Sequence, residues 1–137
     1  MLTNEQWRKE IVECQFPKFK RRVRDQGIAT SCKADFAVDK KGGRVGRVTV
    51  EAWEIGDTTD SFVLSFLYGK AGQAGILMTR FRKQASGPPR RRRLLPPFSE
   101  TLSREAAAKA FTLFAGTILE RFMAKADRLR KKRRPPR

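Results

Sequence analysis

The sequence predicts an α+β fold: an N-terminal helix, an antiparallel meander of three to four strands, and a long C-terminal helix packed on one sheet face. Three observations predict it. Apolar residues recur at helical spacing near both ends of the chain, they alternate with polar residues in the middle, and glycine-rich turns separate the alternating segments. With 137 residues the chain has the length of one domain. We expect that domain over residues 1–130 and a flexible basic tail over residues 131–137.

The first helix is predicted over residues 4–15. Thr3 can serve as its N-cap, with Gln6 completing a capping box, and the apolar residues that follow share one helical face. Pro17 either interrupts this helix or begins a second short one at its first position. Phe19 and Val23 then lie on one face of that second segment.

The central strands are predicted over residues 28–38, 44–55, 61–68 and 76–83, joined by short turns. On the second strand, Val48, Val50 and Ala52 face one way and polar residues face the other. That polar sheet face should carry a set of cations and one tryptophan: Lys33, Arg47 and Trp53, with Arg80 and Arg82 as candidates for the same face.

Residues 85–98 contain four of the seven prolines and the run Arg90–Arg93, which predicts an exposed Pro/Arg-rich loop, extended near the prolines. Ser103 is a suitable N-cap for the last helix, which should reach about residue 130. Its apolar stripe is predicted to pack on the sheet: Ala107, Phe111, Phe114, Ile118 and Phe122, widened by Leu119, Met123 and Ala126.

Positive charge is concentrated rather than spread. The chain has 31 Lys and Arg against 14 Asp and Glu, a net charge of +17. Residues 18–24, Arg90–Arg93 and residues 128–137 hold 16 of the cations and none of the acids. The rest is nearly neutral. Because clustered like charges repel one another, a counter-charged partner is the natural explanation.

Nucleic acid is the partner that this pattern predicts, bound largely through its phosphate backbone. Arginine outnumbers lysine in the clusters, and its guanidinium holds phosphate oxygens bidentately. Trp53 could stack a base or pack beneath a loop or helix. The predicted contact residues are Lys18, Lys20, Arg21, Arg22, Arg24, Arg47, Trp53, Arg90, Arg91, Arg92, Arg93, Arg130, Lys131, Lys132, Arg133 and Arg134.

The concentrated positive charge also has other interpretations. The same segments could bind an acidic protein surface or an anionic membrane, and a homodimer is not excluded. We expect a small regulatory, packaging or accessory protein of a virus or plasmid, DNA and RNA being equally compatible. We also expect no signal peptide and no transmembrane segment, hence a cytoplasmic location, or a nuclear one in a eukaryotic host.

Signatures of enzymes are missing from the sequence. Histidine is absent, which excludes a Ser-His-Asp triad, and neither a phosphate-binding loop nor a nucleophile elbow is present. Carboxylates on or near the strands (Asp35, Asp39, Glu51 and Glu54) fit ordinary surface positions. We therefore expect no catalytic activity, cofactor or metal. Cys14 and Cys32 should be half-buried reduced thiols, with one disulfide as the alternative.

Overall fold

The computed structural model describes residues 1–69 and 72–132, and it confirms the α+β fold. Of the predicted contact residues, Arg133 and Arg134 lie outside the described part, as do the side chains of Arg130 and Lys132. The elements in chain order are α1 (Asn4–Lys9), a π-helical segment (Glu10–Gln15), α2 (Phe16–Arg24), β1 (Ile28–Val38), β2 (Arg44–Glu54), β3 (Asp60–Tyr68), β4 (Gln73–Arg82), β5 (Arg90–Arg93), β6 (Phe98–Thr101) and α3 (Arg104–Lys132).

The N-terminal helices form one continuous run through a wide π-helical turn. The capping box is present: the Gln6 backbone N–H donates to Thr3 Oγ1 at 3.1 Å, and the Thr3 N–H donates to Gln6 Oε1 at 2.9 Å. Pro17 lies in the first turn of α2 but within this helical run, so its missing N–H leaves one upstream carbonyl without its usual helical donor. Because the turn before it is widened, Pro17 begins the second helix without interrupting the run.

The sheet has the order β1-β2-β3-β4-β5, and every pairing is antiparallel. β6 also pairs with β4, beside its first half, so β5 and β6 together form one interrupted edge strand. The predicted loop over residues 85–98 is therefore corrected. Its arginines are extended, as expected, but they are paired with the second half of β4, because Thr79–Arg82 would otherwise be an open edge.

The core lies between the helices and one sheet face. β2, β3 and β4 supply alternating buried residues, and α3 covers them with Phe111, Phe114 and Ile118, which are at most 4% exposed. Ser103 caps α3, because its Oγ accepts the Ala106 N–H at 3.1 Å. The predicted widening of the stripe is wrong at Met123 and Ala126, which are exposed.

The two cysteines are half-buried free thiols, in agreement with the sequence-based expectation. Burial raises the pKa of the Cys32 thiol to about 11. Cys32 is consequently protonated at neutral pH and is a weak nucleophile there.

Candidate nucleic-acid interface

The four arginines of β5 are divided between the two sheet faces. In the register of β4 and β5, Arg92 lies opposite Arg80 and Arg90 opposite Arg82, whereas Arg91 lies opposite Phe81. Directly opposed residues of antiparallel strands share a face. Arg90 and Arg92 therefore belong to the helix-covered face, and the other two arginines belong to the open face.

A cavity of about 550 Å³ lies between the β4–β5 edge and the C-terminal half of α3. We call it the cationic cleft. Six of its ten lining residues are cationic and one is acidic: Asp60, Phe62, Arg80, Arg82, Arg92, Arg121, Phe122, Ala124, Lys125 and Arg128. An adjoining cavity continues the cleft along β5 to Arg90, and Arg91 also borders this cavity although its register places it on the open face. Two of the sequence clusters, Arg90–Arg93 and the basic end of the last helix, are thus brought together.

The floor of the cleft is an ion pair that is largely shielded from solvent. Arg80 donates from Nε to Asp60 Oδ1 at 2.9 Å and from Nη2 to Asp60 Oδ2 at 2.7 Å. The two side chains are only 18% and 11% exposed. The hydrogen bonds to Asp60 raise the pKa of the Arg80 guanidinium above its ordinary value. Arg80 therefore has a structural role, and its positive charge is largely offset by the carboxylate of Asp60.

A second ion-paired cation fastens α3 to the turn between β2 and β3. Lys125 Nζ donates to Glu54 Oε2 at 3.1 Å and to Asp57 Oδ2 at 3.0 Å. The hydrogen bond to Asp57 is the main reason that the pKa of Lys125 is raised. Asp57 also accepts from the hydroxyl and N–H of Thr59, and these bonds, with that of Lys125, hold the pKa of Asp57 well below its usual range.

The remaining cleft cations have no acidic partner. Arg82, Arg92, Arg121 and Arg128 are exposed and form no ion pair with any carboxylate in the described part of the chain. They come from β4, from β5 and from two positions about two turns apart on α3. The carboxylate of Asp60, which lines the cleft, is held by Arg80, and Glu54 and Asp57 are held by Lys125. The cleft therefore presents uncompensated guanidinium groups, which are the groups that bind phosphate bidentately.

The first predicted cluster lies elsewhere. α2 packs on β1 and α3 through Phe19 and Val23, so its cations sit above the edge of the sheet opposite β5. Four strand spacings, roughly 19 Å, separate the two edges. The cations of this α2 cluster are all exposed: Lys18, Lys20, Arg21, Arg22 and Arg24.

The open sheet face carries Arg47 and Trp53, together with Arg91 and Arg93 of β5, and Lys131 is exposed in the last turn of α3. Arg47 donates to Asp35 from Nε at 2.8 Å and from Nη2 at 2.7 Å. The hydrogen bond from Arg47 lowers the pKa of Asp35 and, reciprocally, that of Arg47 is raised. Trp53 is half-buried on the same face, which is opposite to the face that the described helices cover.

Placing Arg80 and Arg82 on that open face was wrong. In the register of β3 and β4, Arg80 lies opposite Phe62 and Arg82 opposite Asp60, so both belong to the helix-covered face. The alternation along β4 (Ala74, Ile76 and Met78, all buried) assigns both arginines to the same side.

Arg121 and Lys125 were missed as cleft residues. Their signal was available, because they share helical spacing with Arg128 and flank Phe122 of the apolar stripe. Nothing in the sequence alone indicated that this side of α3 faces β5.

Comparisons with known proteins identify no relative: no family model, curated protein or solved structure matches the chain significantly. None of the helices in the described part is long and apolar enough to cross a membrane. The described residues also contain no group of three or more Cys, Asp or Glu arranged to hold a metal ion.

Proposed function

We propose that this protein binds nucleic acid, largely through the phosphate backbone, with the cationic cleft and β5 at the centre of the interface. One observation carries the proposal. Arg82, Arg92, Arg121 and Arg128 converge from β4, β5 and α3 with no acidic partner among the described residues, while Asp60, Glu54 and Asp57 are held by other cations.

The energetics of this arrangement favour an anionic partner. Bringing like charges together destabilises a folded chain unless counter-charges bind. A structural role would be satisfied by pairing these arginines with acids, as happens for Arg80. Guanidinium groups left unpaired around a concave surface provide a site at which phosphates replace the missing carboxylates.

The regular spacing of the arginines along β5 also suits a linear polyanion. Alternate residues of an extended strand are about 6.8 Å apart and lie on the same face. Arg90 and Arg92 thus form a row on the cleft side, and a nucleic-acid strand running along the edge can contact both.

The α2 cluster would act as a separate contact. Its distance from β5 exceeds the Debye length of about 8 Å at physiological ionic strength. It therefore adds little to the potential in the cleft and contributes only where nucleic acid touches it. Such a division suits a ligand longer than the cleft. We retain the expectation of a small regulatory, packaging or accessory protein, acting in the cytoplasm or in the nucleus of a eukaryotic host.

The salt dependence of binding tests this proposal. Labelled DNA and RNA, each single-stranded and double-stranded, are titrated with the protein by fluorescence anisotropy at several salt concentrations. If about seven arginines of the cleft and β5 each neutralise one phosphate, log K falls against log salt with a slope near −6 on duplex DNA.

Phosphatidylserine vesicles are the control, because they offer anionic phosphates on a flat surface. Nucleic acid should bind at salt concentrations that release the vesicles. A nucleic-acid slope shallower than about −2, or vesicle binding as tight and as salt-resistant as nucleic-acid binding, overturns the proposal.

A further inference from the structure

The open face of the sheet holds a row of residues that crosses four strands. The pairings place Trp53 of β2 opposite Ser61 of β3, Ser61 opposite Phe81 of β4, and Phe81 opposite Arg91 of β5. Two aromatic residues thus flank a small residue, on strands whose backbones are separated by about twice the strand spacing of roughly 4.8 Å. An arginine stands at the end of the row.

Trp53 differs from the other tryptophan because its side chain has no hydrogen-bond or aromatic partner among the residues that the structure describes. Trp7 is fully buried, its Nε1–H donates to the Ser103 carbonyl at 3.0 Å, and its ring lies edge-on to Phe66 and Tyr68. The indole N–H of Trp53 donates to no residue that the structure describes. Within the same part of the chain, neither Trp53 nor Phe81 packs against another aromatic ring.

A cavity of about 310 Å³ lies at this row, at the lower end of the range for small-ligand sites. We call it the aromatic pocket. The residues around it combine two rings with polar groups: Glu51, Trp53, Thr58, Thr59, Ser61, Phe81, Lys83 and Pro89. Glu51 forms no ion pair with a described cation, so its carboxylate is available as an acceptor.

The charges beside the pocket are those of the proposed interface. Arg91 lies next to Phe81, and Arg93 lies next to Thr79 in the neighbouring row of the open face. The other two arginines of β5 belong to the cleft side. A backbone following the β5 edge can therefore keep its phosphates on arginines while a base turns onto the open face.

We propose that the aromatic pocket takes an unpaired nucleobase, so that the favoured ligand is single-stranded nucleic acid. This inference rests on the proposed function. Trp53 and Phe81 supply stacking surfaces, which serve every base. Glu51 accepts a hydrogen bond from an exocyclic amino group such as that of cytosine. Bases inside a duplex are stacked on their neighbours and cannot enter.

Substitution of Trp53 tests the pocket. Wild-type protein and Trp53→Ala are titrated with oligodeoxycytidine, oligodeoxythymidine and a mixed-sequence duplex of the same length. The variant should lose about ten- to a hundredfold in affinity for the single strands and keep its duplex affinity. Trp53→Phe should restore most of the loss, and Leu67→Ala, an apolar truncation on the same face outside the pocket, should have no effect.

Glu51→Gln tests whether the carboxylate of Glu51 accepts a hydrogen bond from the amino group of the base. The wild type should bind oligodeoxycytidine about three- to tenfold more tightly than oligodeoxythymidine, and the variant should lose much of that preference. Equal affinity of the wild type for the two oligomers overturns the role of Glu51.

The outcomes separate this inference from the proposed function. If the wild type binds single strands and duplexes with steep salt dependence but Trp53→Ala changes neither, the pocket is wrong and the phosphate interface stands. If Trp53→Ala weakens both equally, or changes the oligomeric state in sedimentation, the face serves another purpose and the pocket is wrong. If the wild type binds no nucleic acid, both proposals fall.

Discussion

The two faces of the sheet use the same residue types for different purposes. On the helix-covered face, Phe62 and Phe66 are at most 1% exposed and pack against rings of α3. On the open face, Trp53 and Phe81 are half-buried and line a cavity. An aromatic residue in a strand therefore supports the fold most where a second layer covers it, and less where its face is open.

The two faces also differ in how much a bidentate Asp–Arg ion pair stabilises the fold. Asp60–Arg80 and Asp35–Arg47 have almost the same geometry, with a shortest N–O distance of 2.7 Å in each. The first pair is enclosed, whereas Arg47 is 41% exposed and its partner 26%. Solvent screens the second pair, so similar geometry should yield unequal stabilisation.

Phe114→Ala should produce the largest loss of stability. Phe114 is fully buried and its ring lies 5.5 Å from that of Phe19, so the cavity left behind should cost about 3–5 kcal/mol. Phe81→Ala on the open face should cost less than half of this. Chemical denaturation of the two variants measures both; equal losses would mean that α3 is not docked as described.

Asp60→Asn should have the next largest effect. The change leaves the enclosed Arg80 guanidinium without its carboxylate, which should cost about 3 kcal/mol. The matched change Asp35→Asn should cost less than about 1 kcal/mol, because that pair is at the surface. Urea unfolding at neutral pH compares them, and similar losses would show that enclosure does not distinguish the pairs.

Asp57→Asn should reduce the sensitivity of the fold to acid. The pKa of Asp57 is depressed in the folded state, so its stabilisation is present above the unfolded value of about 3.9 and is lost as the pH falls towards the folded value. The difference between the unfolding free energies of wild type and variant should therefore be constant near neutral pH and should decrease below about pH 4. Unfolding measured across this range checks the sign; a gap that widens on acidification contradicts it.

Arg21→Ala combined with Arg22→Ala should have the smallest effect on folding. Both side chains are exposed on α2, and surface changes of this kind usually alter stability by less than about 0.5 kcal/mol. Affinity for long nucleic acid at low salt should fall modestly. A large fall in melting temperature would make this cluster structural, and unchanged affinity would remove it from the interface.

Much of the fold could be predicted because local signals agree with it. The period-two alternation assigned Val48 and Val50 to the core, and the capping residues Thr3 and Ser103 marked two helix starts. The pairing of Arg90–Arg93 with β4 could not be predicted in this way. A run of four identical charged residues has no alternation, and its neighbouring prolines favour a loop.

The candidate site was harder to predict from the sequence than the fold, because it depends more on tertiary arrangement. The sequence identified the clusters, but not which of them would meet. Whether Arg121 and Arg92 share a cavity depends on the direction in which α3 crosses the sheet, which no local pattern encodes. The structural role of Arg80, its ion pair with Asp60, likewise depends on the enclosure of Asp60, which only the packed structure defines.

The most direct test of the cationic cleft removes equal charge from two places. Arg92→Ala with Arg128→Ala removes two unpaired cations of the cleft, and Lys40→Ala with Lys41→Ala removes two exposed cations from the turn at the far end of β2. That strand places about 34 Å between the two sites. The salt slope of duplex binding is then measured for both variants.

The cleft variant should lose affinity, and its slope should become shallower by about 1.8, because each lost phosphate contact removes about 0.9. The turn variant should keep the slope of the wild type. If both variants shift the slope equally, binding follows net charge alone and the cleft is not the site.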